Sequence, residues 1–310
     1  MTGGAGFIGS NIVDGLVSMG CRVRVLDNLS TGKRENLSHL VSRIEFIKGD
    51  LRSARDLKKA VWGIDYVFHL AAIASVPQSV DQPVETHEVN VTGTFRLLQA
   101  SREVGVKRLI FTSSCSIYGE TERFPSKETD LPQPESPYAA SKIIGEYYCR
   151  NFSQFYGLET VALRYFNVYG PRQNPGSRYA SVVPIFLKRI LDGVPPEIHW
   201  DGKQSRDFVH VDDVVAANLL AMKRPGISGE SFNIGSQSEA RVIDCLRGIK
   251  QVLGLKALKV VYRPKRAGDV RRTSADIHKA RRLLGYRPAV GFEEGIRQTV
   301  HWFLKNADRL

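Results

Sequence analysis

A tyrosine and a lysine four residues apart, Tyr138 and Lys142, could together remove a proton from a substrate. On a helix, residues at this spacing share one face. A phenol has a pKa of about 10 and is a poor base at neutral pH, but a neighbouring ammonium group stabilises the phenolate. Exposed tyrosine–lysine pairs at this spacing are also common, so the pair alone does not indicate a site.

A serine at the end of a predicted strand strengthens the case for a site. The run RLIFTSS predicts a buried parallel strand that ends at Ser114. Doubly wound sheets bind ligands at the carboxyl ends of their strands. Ser114 could therefore hydrogen-bond a substrate hydroxyl and relay its proton to Tyr138.

The glycine-rich segment MTGGAGFIGS predicts a phosphate-binding turn. Glycines at positions 3, 6 and 9 permit a tight turn and close approach of the backbone to a pyrophosphate, which would lie on the free N–H groups of a helix N-terminus. Asp27 follows 18 residues after Gly9, at the end of a second predicted strand. A carboxylate there binds both ribose hydroxyls and repels a 2′-phosphate, so the two features predict NAD. The alternative is a structural glycine turn with a capping aspartate.

Alternating strands and helices are predicted to position these residues. The predicted strands are RVRVLD, IEFIKGD, YVFHLAA, RLIFTSS and ETVALRY, and the predicted helices span residues 7–19, 54–61, about 85–104 and about 137–156. This order indicates an α/β fold with a Rossmann-like, doubly wound parallel sheet. The alternation loosens after Tyr165. We therefore assign residues 1–165 to an NAD-binding domain and residues 166–310 to a smaller C-terminal α/β substrate domain. Residues 207–225 are expected to return to the first domain.

Composition limits the classes of protein to which the chain can belong. It has 310 residues, 42% of them hydrophobic and 25% charged, which is typical of a folded globular protein. No segment approaches the roughly 18 apolar residues of a membrane span, and no signal peptide is recognisable, so we expect a cytoplasmic protein without a membrane partner. The four cysteines are scattered without a CxxC pair, so neither a metal site nor a disulfide framework is expected.

The net charge of +12 is compatible with a nucleic acid or an anionic metabolite as partner. The excess lies late in the chain, where positions 263 to 282 hold eight lysines or arginines against two aspartates. A solvated basic face and a pocket for a phosphorylated substrate both explain this run.

The motifs together resemble the extended short-chain dehydrogenase/reductases, and most of all the nucleotide-sugar 4-epimerases that act on UDP-glucose and UDP-N-acetylglucosamine. The resemblance covers essentially the whole chain. It is carried, in family order, by TGGAGFIGS, VLDNLSTGK, HLAA, SSCSIYG, SPYAASK, RYFNVYGPRQ, SRDFVHVDD and RAGDVRRTSAD.

The resemblance implies a role for each matched position. Tyr138 is the base, Lys142 its partner on the nicotinamide ribose, and Ser114 the hydroxyl relay. The implied NAD-binding residues are Gly3, Gly6, Phe7, Ile8, Gly9, Asp27, Asn28, Gly32, Asp50, Leu51, Leu70, Ala71, Ala72, Asn90, Tyr138, Lys142 and Tyr165. The implied UDP-sugar-binding residues are Ser75, Ser114, Asn167, Val182, Arg206, Arg266, Asp269 and Thr273. Arginines at the diphosphate would account for part of the basic run without nucleic acid.

The resemblance also implies a reaction and an assembly. Tyr138 takes the proton of the sugar 4-hydroxyl while C4 gives hydride to NAD+, the 4-keto sugar turns over, and NADH returns the hydride to the other face. The cofactor is recycled in place and no metal is needed. Relatives are often homodimers that pair the helix of residues 90–104 and the helix that carries Tyr138, so a homodimer is expected.

Several alternatives stay open. Dehydratase and decarboxylase relatives carry acidic side chains just after the position of Ser114, where this chain has Cys115 and Ser116, so we expect epimerisation alone. UDP-glucuronate 4-epimerases commonly have Thr at the position of Asn167 and are the alternative substrate class. Thr273 replaces a bulky aromatic residue and predicts room for an N-acetyl group. An alternative of another class is a non-catalytic NAD-binding regulator or nucleic-acid-associated protein.

Two segments depart from the family pattern. Relatives carry a short apolar strand ending in Val before TGG, whereas only Met1 precedes Thr2 here. We therefore expect that the first strand is missing and that Met1 is an internal Val position assigned as the start. Relatives also read GDG where this chain has WDG at positions 200–202. Trp200 could pack near the uracil or replace a turn glycine.

Overall fold

The computed structural model describes residues 1–121, 123–176, 181–265 and 270–306. The strands are β1 (Val23–Asp27), β2 (Ile44–Lys48), β3 (Tyr66–His69), β4 (Arg108–Ser114), β5 (Glu159–Tyr165), β6 (Asn167–Tyr169), β7 (Glu197–His199), β8 (Ser205–His210), β9 (Glu230–Ile234), β10 (Glu239–Arg241) and β11 (Val261–Arg263). The α-helices are α1 (Phe7–Ser18), α2 (Ala54–Val61), α3 (Val76–Asp81), α4 (Pro83–His87), α5 (Gly93–Glu103), α6 (Pro137–Tyr156), α7 (Val182–Leu191), α8 (Val211–Lys223), α9 (Val242–Val252) and α10 (Phe292–Lys305). Short 3₁₀ turns lie at Arg34–Leu40 and Cys115–Tyr118, and π-helical turns at Glu88–Thr92 and Ala280–Leu284.

A parallel sheet forms the centre of the molecule and confirms the predicted doubly wound fold. β1 pairs with β2, and β3, β4, β5 and β9 pair in that order, all in parallel. Thr2 joins the two groups, because it forms parallel bridges with Leu26 in β1 and His69 in β3. Its N–H donates to the Phe68 carbonyl at 2.9 Å, and the Gly3 N–H donates to the Leu26 carbonyl at 2.9 Å. The glycine-rich segment therefore leaves the sheet between β1 and β3.

Helices cover both faces of this sheet. Successive side chains of a strand point to opposite faces, and in β4 the side chain of Ile110 lies in a different apolar core from those of Leu109 and Phe111. One core lies beneath α1 and α8, and the other beneath α2, α5 and α6. Because both faces are buried, β4 and β5 read in the sequence as nearly continuous apolar runs.

The helix predicted over residues 137–156 is confirmed as α6, and local residues explain both of its ends. The Ser136 hydroxyl accepts a hydrogen bond from the Ala139 N–H at 3.1 Å, and Pro137 lies in the first turn. Gly157 ends the helix with a φ of 70°, in the left-handed region. Capping of this kind needs no tertiary contact, so the sequence alone could reveal it.

The C-terminal part of the chain builds a second, smaller core. β8 lies between β6 and β10 in a small sheet, β7 pairs with β11, and α7, α9 and α10 pack on a third apolar core. Of the segment expected to return to the first domain, β8 belongs to this small sheet, whereas α8 packs against α1. β9 joins the main sheet beside β5, although it lies beyond the expected return at 207–225. The boundary at residue 165 stays a prediction.

Candidate active site

A cavity of about 650 Å³ opens at the carboxyl ends of the parallel strands. Nearly all residues predicted to bind the cofactor line it, namely Gly3, Gly6, Phe7, Ile8, Gly9, Asp27, Asn28, Gly32, Asp50, Leu51, Leu70, Ala71, Ala72, Tyr138, Lys142 and Tyr165. Ser75 and Ser114, from the predicted substrate set, line it too. The fold therefore gathers the glycine-rich turn and the tyrosine, lysine and serine around one space.

The glycine-rich turn is too tight for side chains. Gly3 has a φ of 69°, and a Cβ at this position would lie 2.7 Å from the Ala71 backbone nitrogen. A Cβ on Gly9 would collide with the Gly3 carbonyl oxygen. α1 begins at Phe7. Its N-cap residue is Gly6, and in the described structure no side-chain capping hydrogen bond is made to the start of this helix. The first N–H groups of α1 can therefore bind an anion, as a pyrophosphate requires.

Asp27 lies at the end of β1 with only 7% of its surface exposed. Its two carboxylate oxygens accept hydrogen bonds from the Ala5 N–H and the Leu29 N–H, each at 2.9 Å. A carboxylate can accept about four hydrogen bonds, so capacity remains for ribose hydroxyls. These backbone contacts hold the carboxylate in place at the cavity wall, where its charge would oppose a 2′-phosphate.

Asp50 marks the other side of the same end of the cavity. Its carboxylate accepts two hydrogen bonds from the Arg52 guanidinium, at 2.9 and 2.8 Å, and one from the Asn28 amide at 3.0 Å. The contact with Arg52 holds the pKa of this carboxyl well below its usual range. Asp50 is therefore an ionised acceptor at neutral pH.

Asn90, also predicted to bind the cofactor, is 3% exposed and is not among the residues that line the cavity. Its amide oxygen accepts from the Ile73 N–H at 2.8 Å, and its amide nitrogen donates to the Ile73 carbonyl at 3.0 Å and to the Ser141 hydroxyl at 3.0 Å. It belongs to the π-helical turn between α4 and α5, a feature frequent at functional sites. Asn90 thus holds the backbone next to Ala72, and a sequence motif cannot distinguish that role from direct contact with a ligand.

Ser114 lies next to Tyr138 in the cavity wall, within range of a hydrogen-bond interaction between the two hydroxyl groups. Burial raises the pKa of Tyr138 to about 12, and the hydrogen bond with Ser114 opposes this shift. The Ser114 hydroxyl also accepts from the Ser116 N–H at 3.2 Å, because it caps the 3₁₀ turn that follows β4. The proton relay through Ser114 stays a prediction, and the phenol needs further positive charge to act as a base.

Lys142 supplies such a charge one turn along α6. Its ammonium group is 5.7 Å from the centroid of the Tyr138 ring and donates to the Thr112 carbonyl at 2.8 Å. The side chain is 4% exposed, and burial lowers its pKa to about 8. Lys142 therefore remains protonated in most molecules at neutral pH.

Four other predicted substrate residues are not among the residues that line this cavity, namely Asn167, Val182, Arg206 and Thr273. The Asn167 amide donates to the Thr273 hydroxyl at 2.9 Å, so the structure brings these two together. Arg206 lies on β8 between Ser205 and Asp207, and the backbone of both these neighbours is hydrogen-bonded to the backbone of Thr273. The Arg206 guanidinium donates to the Ser205 carbonyl at 2.8 Å. Val182 begins α7 and packs on the C-terminal core. The predicted contacts of Arg266 and Asp269 lie outside the described residues.

Trp200 takes the place of a turn glycine. Its φ is 68°, in the region that favours glycine. The Lys265 ammonium lies 4.5 Å and the Arg271 guanidinium carbon 4.7 Å from its ring centroid, which are cation–π distances. In the described structure the indole is thus engaged with two cations of the basic run.

The cavity has further lining residues that sequence reasoning missed. They are Leu26, Ser30, Thr31, Gly49, Arg52, Ile73, Ala74, Gln78, Glu85, Val89, Thr112, Ser113, Phe166, Val168 and Gln173. Most of them adjoin a predicted residue in the sequence, and that proximity is the signal that could have found them. Others, such as Gln78 on α3, reach the cavity only through the fold.

In the part of the chain that the structure describes, no group of three or more His, Cys, Asp or Glu side chains could hold a metal ion. Across the same ranges, no helix has the length and apolar character needed to cross a membrane.

Similarities to known proteins agree with this site. A model of the NAD-dependent epimerase/dehydratase family matches residues 1–235. The structure of UDP-glucose 4-epimerase from Thermotoga maritima with UDP-glucose is 43% identical, has a TM-score of 0.93, and covers 99% of this chain and 98% of its own. The structure of UDP-N-acetylglucosamine 4-epimerase from Methanobrevibacter ruminantium M1 in complex with UDP-N-acetylmuramic acid is 41% identical, has a TM-score of 0.93, and covers 98% and 97%.

The relatives include a second type of reaction. The UDP-N-acetyl-α-D-glucosaminuronate decarboxylase of Bacillus cytotoxicus is 34% identical over 98% of this chain and 96% of that protein. These full-length similarities confirm the family resemblance expected from the motifs. They lend no support to a non-catalytic regulator or nucleic-acid-associated protein. Since the family model covers most of the chain and the site residues of the fold converge on one cavity, the chain is an enzyme of the NAD-dependent epimerase/dehydratase family.

Proposed function

We propose that this enzyme interconverts UDP-hexoses that differ in configuration at C4, and that it has room for an N-acetylated sugar. The meeting of Tyr138, Ser114 and the Lys142 ammonium at the wall of one cavity carries the proposal. The preferred substrates are UDP-N-acetylglucosamine and UDP-N-acetylgalactosamine, with UDP-glucose and UDP-galactose as further substrates. UDP-glucuronate is the alternative substrate.

The residues present fit NAD. A turn that excludes a Cβ at Gly3 and Gly9 lets a pyrophosphate approach the backbone at the start of α1, and Asp27 is placed for the adenosine ribose. Lys142 and Tyr138 lie at the opposite end of the same cavity, where the nicotinamide would be bound. When bound, NAD supplies the hydride acceptor for the oxidation and the hydride donor for the reduction.

The side chains of the chain itself move and hold the proton. Tyr138 accepts the proton of the substrate hydroxyl, directly or through Ser114, and returns it to the oxygen after the sugar has turned over. Lys142 would favour the phenolate through its charge, because its ammonium group lies 5.7 Å from the centroid of the Tyr138 ring. Ser114 would hydrogen-bond the oxygen on C4 of the sugar in either configuration, and it would therefore serve both directions of the epimerisation.

The segment after Ser114 favours epimerisation over elimination or decarboxylation. Cys115 stands there, and burial raises the pKa of its thiol to about 12, so it is a neutral group at working pH. Ser116 follows and is also uncharged. Neither residue offers the carboxylate that would remove a proton from carbon or assist loss of a carboxyl group. Oxidation and re-reduction at one carbon is the chemistry that remains.

Substrate recognition is proposed for the small sheet next to the cavity. Asn167 and Arg206 would hold the diphosphate and sugar, because amide and guanidinium donors suit phosphate oxygens. Thr273 would leave space where a large aromatic side chain would fill it. Arg266 and Asp269 are proposed to complete the UDP site.

A homodimer is proposed as the assembly. Phe95 on α5 and Tyr147 and Phe155 on α6 are 39%, 55% and 73% exposed, which is unusual for large aromatic side chains. They lie on neighbouring helices, because Phe95 contacts Phe152 of α6 edge to face at 5.8 Å between ring centroids. A second copy of the same face would bury these rings.

The test is turnover of a panel of UDP-sugars with no added cofactor. We expect interconversion of UDP-N-acetylglucosamine with UDP-N-acetylgalactosamine and of UDP-glucose with UDP-galactose, and a loss of kcat of at least about 100-fold in Tyr138→Phe. NAD should be released on denaturation of both proteins. Loss of carbon dioxide from a UDP-uronate would instead identify a decarboxylase. Epimerisation of UDP-glucuronate alone would favour the alternative substrate, and full activity of Tyr138→Phe would refute the assigned base.

A further inference from the structure

A buried ion pair lies directly behind the proposed catalytic residues. Glu146 is on α6, one turn after Lys142, and Arg164 is on β5. The guanidinium donates to the carboxylate at 2.7 and 2.9 Å, and the two side chains are only 4% and 6% exposed. Burial of two charges is costly even when they are paired, so such a pair commonly has a role beyond stability.

The carboxylate of this pair reaches the residue just before Ser114. The Ser113 hydroxyl donates to Glu146, and Ser113 is 1% exposed. Ser113 thus points towards α6 at Glu146, and Ser114 follows it as the last residue of β4. The hydrogen bond therefore ties the last residues of β4 to the helix that carries Tyr138.

The guanidinium of the pair reaches the segment just after Ser114. Arg164 donates to the Tyr118 hydroxyl at 2.8 Å, and Tyr118 in turn donates to the Asn233 amide oxygen at 2.6 Å. Tyr118 ends the 3₁₀ turn that Ser114 caps. Ser113, the residue before Ser114, and Tyr118, four residues after it, are thus bonded to one and the same ion pair.

We propose that Glu146 and Arg164 are positioning residues that set the place of Ser114 relative to Tyr138. The pair connects α6, β4, β5 and the turn after β4, which are the elements whose relative position determines the gap between the two hydroxyl groups. A network in which every polar group is satisfied is rigid, whereas a partly broken one is not. This inference rests on the proposed roles of Ser114 and Tyr138 in proton transfer.

Two serines that bind the same carboxylate provide a matched test. Ser113 and Ser231 each donate a hydroxyl hydrogen bond to Glu146, the second at 3.0 Å. Ser231 is on β9, which is separated from β4 by β5. Ser113→Ala and Ser231→Ala each remove one hydroxyl hydrogen bond from Glu146, but only the first releases the residue before Ser114. Glu146 retains Arg164 in both variants, so both should fold.

The readout is the separation of kcat from KM in the full enzyme. We expect Ser113→Ala to lower kcat about tenfold with KM for the UDP-sugar and NAD content unchanged, and Ser231→Ala to keep kcat within about twofold. The thermal midpoints of the two variants should be similar. Parental kcat in Ser113→Ala, or an equal loss of kcat in Ser231→Ala, would overturn the inference.

Tyr138→Phe distinguishes failure of the positioning role of Glu146 and Arg164 from failure of the proposed function. If Tyr138→Phe is inactive while Ser113→Ala is fully active, the proton relay stands and only the positioning role is wrong. If Tyr138→Phe retains full activity, the assignment on which the inference rests is itself wrong. Glu146→Gln is a less useful variant, because it would leave the buried guanidinium of Arg164 without a counter-charge.

Discussion

The ammonium group of Lys142 is buried, and burial disfavours its charge. The charge that the proposed reaction needs therefore lowers the stability of the folded protein. Burial lowers its pKa from 10.5 to about 8, while the nearby Cys149 and Glu146 oppose the shift. Its protonated form therefore costs stability at every pH below about 8. This cost is relieved as the pH rises from 8 towards 10.5, where only the unfolded chain still binds the proton.

At neutral pH, Lys142→Met should raise the stability of the protein and abolish most of its activity. We expect a gain on the order of 2 kcal/mol at pH 7, which narrows as the pH rises towards 10.5, and a loss of kcat of at least about 100-fold. Urea unfolding at several pH values and turnover of a UDP-sugar measure the two effects. Lys58→Met, at an exposed position of α2, is the control and should change neither. A variant less stable than the parent at pH 7 would contradict this prediction.

At the scale of elements, the first turn of α1 packs so closely on the glycine-rich turn that no side chain fits between them. Gly9→Ala should displace the turn, because its Cβ would collide with the Gly3 carbonyl oxygen in the wall of the NAD cavity. We expect NAD content after purification to fall at least about tenfold while the protein stays folded. Absorbance of released nucleotide and far-UV circular dichroism measure these properties.

Gly291→Ala provides the matched control at the start of another helix. Gly291 precedes α10, has no atom within 4 Å of an added Cβ, and has a φ of −66°, which any residue can adopt. NAD content should therefore match that of the parent. Equal NAD content in the Gly9 variant and the parent would show that the turn can move aside.

At the scale of the whole molecule, the exposed aromatic residues of α5 and α6 predict the assembly. Phe155→Glu should convert a homodimer into a monomer, because a charge at the centre of an apolar interface is strongly unfavourable. Light scattering after size-exclusion chromatography measures the mass. Leu131→Glu changes a residue that is 79% exposed outside these helices and should leave the assembly intact. A parent enzyme that is monomeric at micromolar concentration would contradict the proposed homodimer.

By itself, the sequence determined the element order of the first 165 residues, the family and about half of the residues that line the cofactor cavity. Local chemistry is sufficient for these: the capping residues around α6 and the period of apolar residues in α2 act over a few positions, and both helices lie where predicted. The glycine spacing, Asp27 and Tyr138 are likewise tied to short segments whose geometry is set by the strand and helix that contain them.

Only the tertiary structure decided which side chains that are far apart in the sequence contact one another around the site. Asn90 holds the Ile73 backbone rather than lining the cavity, and Trp200 adopts a glycine conformation between two cations. Glu146 meets Ser113 and Arg164 across 33 and 18 positions of the chain. Such contacts have no periodicity that a sequence can display, because they depend on how strands and helices pack and not on the residues beside them.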